Sequence, residues 1–188
     1  MNNSSISSAS EYRPKDFSDM IGQDAIVKTL LNAIKNDSLA QALLFCGPRG
    51  VGKTSCARIL AKKINDLEEN FEYNIFELDA ASNNSVEDIR NITDQIRIPP
   101  QIGKYKVYII DEVHMLSNAA FNAFLKSLEE PPKHVVFILA TTEKNKIIPT
   151  ILSRCQIYDF KKVDISSITK LLASICKDKK IKFDQIYF

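Results

Sequence analysis

The segment that most restricts what this chain can fold into is Gly47-Pro48-Arg49-Gly50-Val51-Gly52-Lys53-Thr54, because of what flanks it. Before it stands an apolar run, ALLFC over 42–46, which suits a strand buried on both faces. After it, residues 54–64 (TSCARILAKKI) read as a helix with Ile59, Leu60 and Ile64 inward. Strand, glycine-rich turn, Gly-Lys-Thr and helix together make the pattern of a phosphate-binding loop. Glycines let backbone N–H groups turn in around phosphate oxygens, and the helix N-terminus adds a favourable dipole. Lys53 supplies a point charge for the β- and γ-phosphates of a nucleotide, and the Thr54 hydroxyl can ligate magnesium. Only five glycines occur in the chain, and three of them stand at 47, 50 and 52. With eight positions matched between a strand and a helix, a casual glycine turn is the poorer reading.

The rest of the chain repeats the alternation. Strands are expected over 74–78, 106–110, 135–140 and 156–160. Helices are expected over 24–35, over 86–96 until Pro99-Pro100, and after Ser117 as N-cap, with Phe121, Phe124, Leu125 and Leu128 on one face. A short helix over 147–152 and one capped by Asp164 and running to about 176 complete the reading. Short apolar strands alternating with amphipathic helices imply an α/β fold, a parallel sheet of five strands sandwiched by helices.

Three further features fall at predicted strand ends or turns. The strand VYII ends in Asp111-Glu112, putting two carboxylates at the sheet edge where nucleotides bind in open α/β folds. Asp111 would hold magnesium and Glu112 would polarise an attacking water. Such an ending is common on its own and gains weight by falling one strand-helix unit after the phosphate loop. Thr141-Thr142 close the next strand, where a hydroxyl would face the γ-phosphate; plain strand-end punctuation reads equally well. Ser153-Arg154-Cys155 follows the short helix. Most single arginines are solvated, but one presented to another subunit's nucleotide is worth roughly 10³–10⁵ in rate.

Composition sets limits. The chain has 188 residues, enough for one domain and a remnant of another, and its formal net charge of +2 neither demands nor excludes nucleic acid. No apolar run approaches the roughly 18 residues of a membrane span. Residues 1–10 are polar, lack the order of a secretory signal and read as a disordered tail. Cys46, Cys56, Cys155 and Cys176 show no Cys-x-x-Cys spacing, and His114 and His134 are not grouped with them. They read as reduced thiols of a cytoplasmic protein.

Taken together, LLFCGPRGVGKTSCARILAK, ELDAASNNSVEDIRNI, YKVYIIDEVHMLSNAAFNAFLKSLEEPP and FILATTEKNKIIPTILSRCQIYDF, with Tyr12-Arg13-Pro14, Phe17 and Ile21-Gly22-Gln23 upstream, resemble the AAA+ P-loop module of bacterial DNA polymerase III gamma/tau subunits, the motor of the sliding-clamp loader. The likeness runs from about residue 11 to the end. It implies an AAA+ nucleotide-binding domain over 11–160 and the start of a helical lid over 161–188. It implies ATP and Mg2+ as cofactors, with Gly47, Pro48, Arg49, Gly50, Val51, Gly52, Lys53, Thr54 and Ser55 around the nucleotide. Thr54 and Asp111 would hold the metal, and Glu112 would be the catalytic base. Thr142 would be the first sensor, and Arg154 the finger acting in trans. Tyr12, Arg13, Pro14, Ile21 and Gln23 would line the adenine pocket.

Implied partners are other clamp-loader subunits (gamma/tau copies, delta, delta prime), the sliding clamp and primer-template DNA, with no membrane. Residues 83–97 would lie near that DNA, although Arg90 and Arg97 read equally well as solvated helix charges. Two departures stand out. The family's four-cysteine zinc module is absent from 65–74, so no zinc is expected. The family's lid and collar extend beyond the point where this chain ends, so a second arginine sensor is not in view. A non-hydrolysing structural subunit and another AAA+ machine, such as a branch-migration helicase, are the alternatives. Retention of Lys53 and the Asp111-Glu112 pair argues against the first, and the Ser-Arg-Cys motif against the second.

Overall fold

A computed structural model describes residues 11–66 and 73–181. The expected tail at 1–10, most of the span where zinc ligands would stand, and the last seven residues lie outside them.

Helix α1 (Asp24–Lys35) precedes β1 (Ala42–Cys46), and α2 (Lys53–Asn65) follows the phosphate loop. Then come β2 (Ile75–Asp79), α3 (Val86–Ile96), β3 (Lys106–Asp111), α4 (Asn118–Glu129) and β4 (Val135–Thr141). The short α5 (Pro149–Leu152), β5 (Gln156–Asp159) and α6 (Ile165–Asp178) complete the order. The expected elements are present, with ends moved by one or two residues. The largest move is at α5, expected from 147, because Pro149 occupies its first turn while Ile147 and Ile148 remain extended.

The five strands form one parallel sheet in the order β2-β3-β4-β1-β5. Strand alternation splits the core in two. Leu43, Phe45, Val107, Ile109, Val136 and Ile138 face α1 and α2, packing on Leu30, Ala57, Leu60 and Ile64. Leu44, Tyr108, Ile110, Phe137 and Leu139 face the other layer, with Ile89 and Ile96 of α3 and Phe121, Phe124 and Leu128 of α4. Every residue of β1 and β4 is buried, which is why these strands read as unbroken apolar runs. Leu125, expected on the inward face of α4, is only partly buried and packs at its margin.

The strand order decides where a site can form. From β1 the chain crosses to β2, returns through β3 and β4, and then moves to β5 on the far side of β1. The reversal beside β1 opens a crevice at the carboxyl ends of the strands. In register, Cys46 lies opposite Thr141 and Ile110 opposite Leu139, so the loops after β1, β3 and β4 meet there.

Candidate nucleotide-binding and hydrolytic site

The helix that opens at this crevice after the glycine loop starts without a side-chain cap. Ser85, Ser117 and Asp164 cap α3, α4 and α6 through their side chains. Helix α2 has Gly52 at its N-cap, with φ +95° and no side-chain cap. Helices α1 and α5 also lack a side-chain cap, but α2 alone of the three opens directly from the glycine loop, so its first N–H groups and those of the loop can receive an anion from outside the chain together. Gly47, with φ +151°, passes so close to the residue that follows β5 that a Cβ there would lie 2.6 Å from the Phe160 carbonyl oxygen. Lys53 is buried, and its Nζ donates to the carbonyls of Gly47 (2.8 Å) and Pro48 (2.9 Å). Burial pulls its pKa below the ordinary lysine value, against the opposing pull of the Glu112 and Asp111 carboxylates. Pro48, Arg49 and Gly50 are exposed at the rim, whereas Val51 is buried and Ser55 half-buried.

The Thr54 hydroxyl donates to Asp111 Oδ2 at 2.6 Å, joining the start of α2 to the end of β3. Asp111 Oδ1 accepts the Glu112 backbone N–H at 2.9 Å. Glu112 itself has φ 47° and ψ 42°, a left-handed conformation that costs a non-glycine residue about 1–3 kcal/mol. Its Oε2 accepts the Thr142 hydroxyl at 2.9 Å and the Thr142 N–H at 3.3 Å. Lys53, Thr54, Asp111, Glu112 and Thr142 are thus brought together.

The remaining expected residues divide. Gln23 is buried, and its Nε2 donates to the carbonyls of Lys161 (2.7 Å) and Val51 (3.5 Å) while its Oε1 accepts the Lys161 N–H. Its amide ties the phosphate loop to the segment leading into α6. Met20 packs beside Gly52, so the segment from Phe17 to Gln23 flanks the loop. Ile21 is half-buried, whereas Arg13 is exposed and Pro14 half-buried farther upstream. Tyr12 donates to Asp178 at the end of α6, with Lys179 above its ring. That acceptor raises its pKa to about 12. Arg154 lies apart from the cluster and donates to Glu129 Oε1 and to the Thr150 carbonyl, both at 2.6 Å. Arg90 pairs loosely with Glu87 at the surface of α3. Cys46 and Cys56 are buried thiols, their pKa values pushed up to about 11 and about 12 by desolvation.

Sequence reading gave no role to His114, whose side chain lies between Glu112, Thr141 and Glu143. It also missed Glu129 as the partner of Arg154. Both pairings depend on which elements become neighbours, and residue spacing does not report that.

Against known proteins, the family described as DNA polymerase III, delta subunit matches residues 22–164. The chain belongs to this DNA polymerase III subunit family. Within the family its curated relatives are tau and gamma subunits. It is 45% identical over 191 residues to DNA polymerase III subunit tau of Bacillus subtilis, covering 93% of this chain and 34% of the relative. It is 42% identical to subunit tau of Escherichia coli, covering 92% of this chain and 30% of the relative. Subunit gamma of Buchnera aphidicola is 40% identical, with 94% of this chain and 52% of the relative covered. The chain therefore spans a third to a half of the length of these relatives.

Among solved structures, a gamma-subunit-related protein of Thermotoga maritima superposes with a TM-score of 0.65 at 21% identity, over 81% of this chain and 53% of that one. The RuvB Holliday junction branch migration motor of the same organism gives 0.71 at 21% identity, over 92% and 56%. These likenesses establish the AAA+ fold. Among the described residues no helix is long and apolar enough to cross a membrane.

Proposed function

We propose that the chain is the ATP-hydrolysing part of a motor subunit in a bacterial clamp loader, in the cytoplasm, with a nucleotide-binding domain over 11–160 and the start of a lid over 161–188. The observation that carries this reading is the convergence of Thr54 on Asp111 and of Thr142 on Glu112, beside a helix whose N-terminus has no side-chain cap. ATP would lie across the phosphate loop, its β- and γ-phosphates received by the N–H groups of 47–54 and by Lys53. The Thr54 hydroxyl and the Asp111 carboxylate are hard oxygen donors side by side, a set that fits Mg2+. When bound, the metal supplies charge neutralisation on the phosphate oxygens.

Glu112 would orient a water and draw off its proton as the water oxygen bonds to the γ-phosphorus and the bond to the bridging oxygen breaks, giving ADP and phosphate. Thr142 holds the carboxylate for that step. Arg154 would serve the nucleotide of a neighbouring subunit. In this reading ATP binding and hydrolysis drive loading of a sliding clamp onto primer-template DNA, in company with gamma/tau copies, delta and delta prime.

The test compares the chain with its Lys53→Ala variant, following ATP binding by titration and phosphate release by a coupled assay, then clamp loading with partner subunits present. Loss of phosphate release by at least about a hundredfold is expected, since both positioning and charge stabilisation go with the ammonium. Unchanged turnover would remove hydrolysis from the proposal and leave a nucleotide-binding structural subunit.

A further inference from the structure

His114 belongs to the short turn Val113–Met115 that begins directly after Glu112. Its side chain is only 6% exposed. The imidazole Nδ1 lies 3.0 Å from Thr141 Oγ1 and 3.4 Å from Glu112 Oε2. On the opposite edge, Nε2 lies 3.3 Å from Glu143 Oε1. Glu143 pairs in turn with Lys146 at 2.9 Å, and its backbone N–H donates to Thr141 Oγ1 at 3.0 Å. One ring thereby bridges the end of β3 to the loop after β4.

We propose that His114 is a positioning residue for Glu112, an inference that rests on the hydrolytic reading above. A glutamate side chain loses about 1–2 kcal/mol of rotamer freedom when held in one orientation, so a carboxylate that must meet a water in one geometry needs restraint. Thr142 restrains Oε2 from the β4 side. The imidazole closes in on the same oxygen from the β3 side. With Oε2 engaged in this way, Oε1 is the oxygen that would take the proton of the water.

The ring restrains Glu112 when Nδ1 carries a proton, which is then directed at Glu112 Oε2 and Thr141 Oγ1. With the proton on Nε2 alone, directed at Glu143, Nδ1 would accept the Thr141 hydroxyl and turn a lone pair toward Oε2, so the proposal requires the Nδ1–H form. The left-handed backbone at Glu112 fits such an arrangement, because strain of that size persists where the surroundings determine the conformation.

The experiment uses the full chain and three substitutions, His114→Ala, His114→Asn and His114→Gln, with Glu112→Gln as reference. Equilibrium titration with a fluorescent ATP analogue gives affinity, single-turnover phosphate release gives the chemical step, and thermal unfolding reports the fold. The expected result for His114→Ala is release slowed about 10- to 100-fold with nucleotide affinity within about twofold of the parent. His114→Asn keeps a polar group at the Nδ1 position and recovers more of the rate than His114→Gln, whose amide falls at the Nε2 position.

Unchanged release in His114→Ala, while Glu112→Gln blocks release, overturns the positioning role and leaves the hydrolytic reading standing. A loss that tracks the fall in melting temperature, with the two amides rescuing it to the same extent or not at all, also overturns it, in favour of simple packing. Release unaffected by Glu112→Gln defeats the hydrolytic reading, and the inference goes with it.

Discussion

Lys53 and Arg154 are both cations expected near phosphate, yet their surroundings differ. Lys53 is buried and bonded inside its own loop, and its neighbours Thr54, Asp111, Glu112 and Thr142 bond to one another. The Arg154 side chain is 31% exposed and its carboxylate partner Glu129 is 48% exposed. A buried cation is useful only to a ligand that enters its cleft, whereas a half-exposed one held by a weak surface pair is free to serve a ligand outside the molecule. The difference accords with the proposed function, in which the site is divided between subunits, the phosphate cradle and base on one and the charge-stabilising arginine on the next.

The sharpest way to break that division is complementation. Arg154→Ala should lower the ATPase of the assembled complex by about 10³-fold or more, while leaving nucleotide affinity of the isolated chain unchanged. Mixing Arg154→Ala with Lys53→Ala should restore part of the activity, because one variant keeps the cradle and the other keeps the finger. Failure of the mixture to recover any turnover, with assembly verified, would place both cations in service to the same nucleotide.

A second prediction concerns how tightly the cradle is built. Gly47→Ala forces a methyl group to within 2.6 Å of the Phe160 carbonyl, at a φ that L side chains rarely adopt. Neither the Phe160 backbone, bonded to Cys46 of β1, nor the loop can yield cheaply, so about 1–3 kcal/mol of stability should be lost together with nucleotide affinity. Thermal unfolding and ATP titration check it. Alanine at Arg154 should leave the melting temperature nearly unchanged, since surface substitutions usually fall within about 0.5 kcal/mol. Equal destabilisation by both changes would dissolve the contrast.

The two regions were also unequally legible in the sequence. The phosphate loop and the acidic strand end are contiguous, and their residue types are dictated by local chemistry, so their place in the fold could be read directly. The β1 and β4 runs announced themselves because both faces are buried. What could not be read was anything set by strand order. His114 meets Glu143 only because β3 and β4 are neighbours in the sheet. Gln23 was expected to face adenine, and its amide is engaged by backbone groups of Lys161, a contact across 138 positions that no periodicity encodes. Tyr12 likewise meets α6 through Asp178, the far end of a helix whose cap was foreseen but whose packing was not. Arg154 was singled out by its motif, while its holder Glu129 lies at the end of α4, 25 positions earlier.

The smallest expected effect concerns that holder. Glu129 Oε1 accepts from Arg154 at 2.6 Å, and the Thr150 carbonyl accepts at the same distance. If the arginine must leave Glu129 to reach a neighbour's nucleotide, the pair opposes catalysis by its own strength. Between two partly exposed groups that strength is at most about 1 kcal/mol. Glu129→Gln should therefore raise the ATPase of the assembled complex by about two- to fivefold, with no change in the isolated chain's affinity for ATP or in its melting temperature. Steady-state phosphate release, with and without Arg154→Ala in the same background, isolates the contribution of the finger. A fall in turnover instead of a rise would mean that Glu129 aims the guanidinium at its target, and the two cations would then be alike in being held ready within their own subunit.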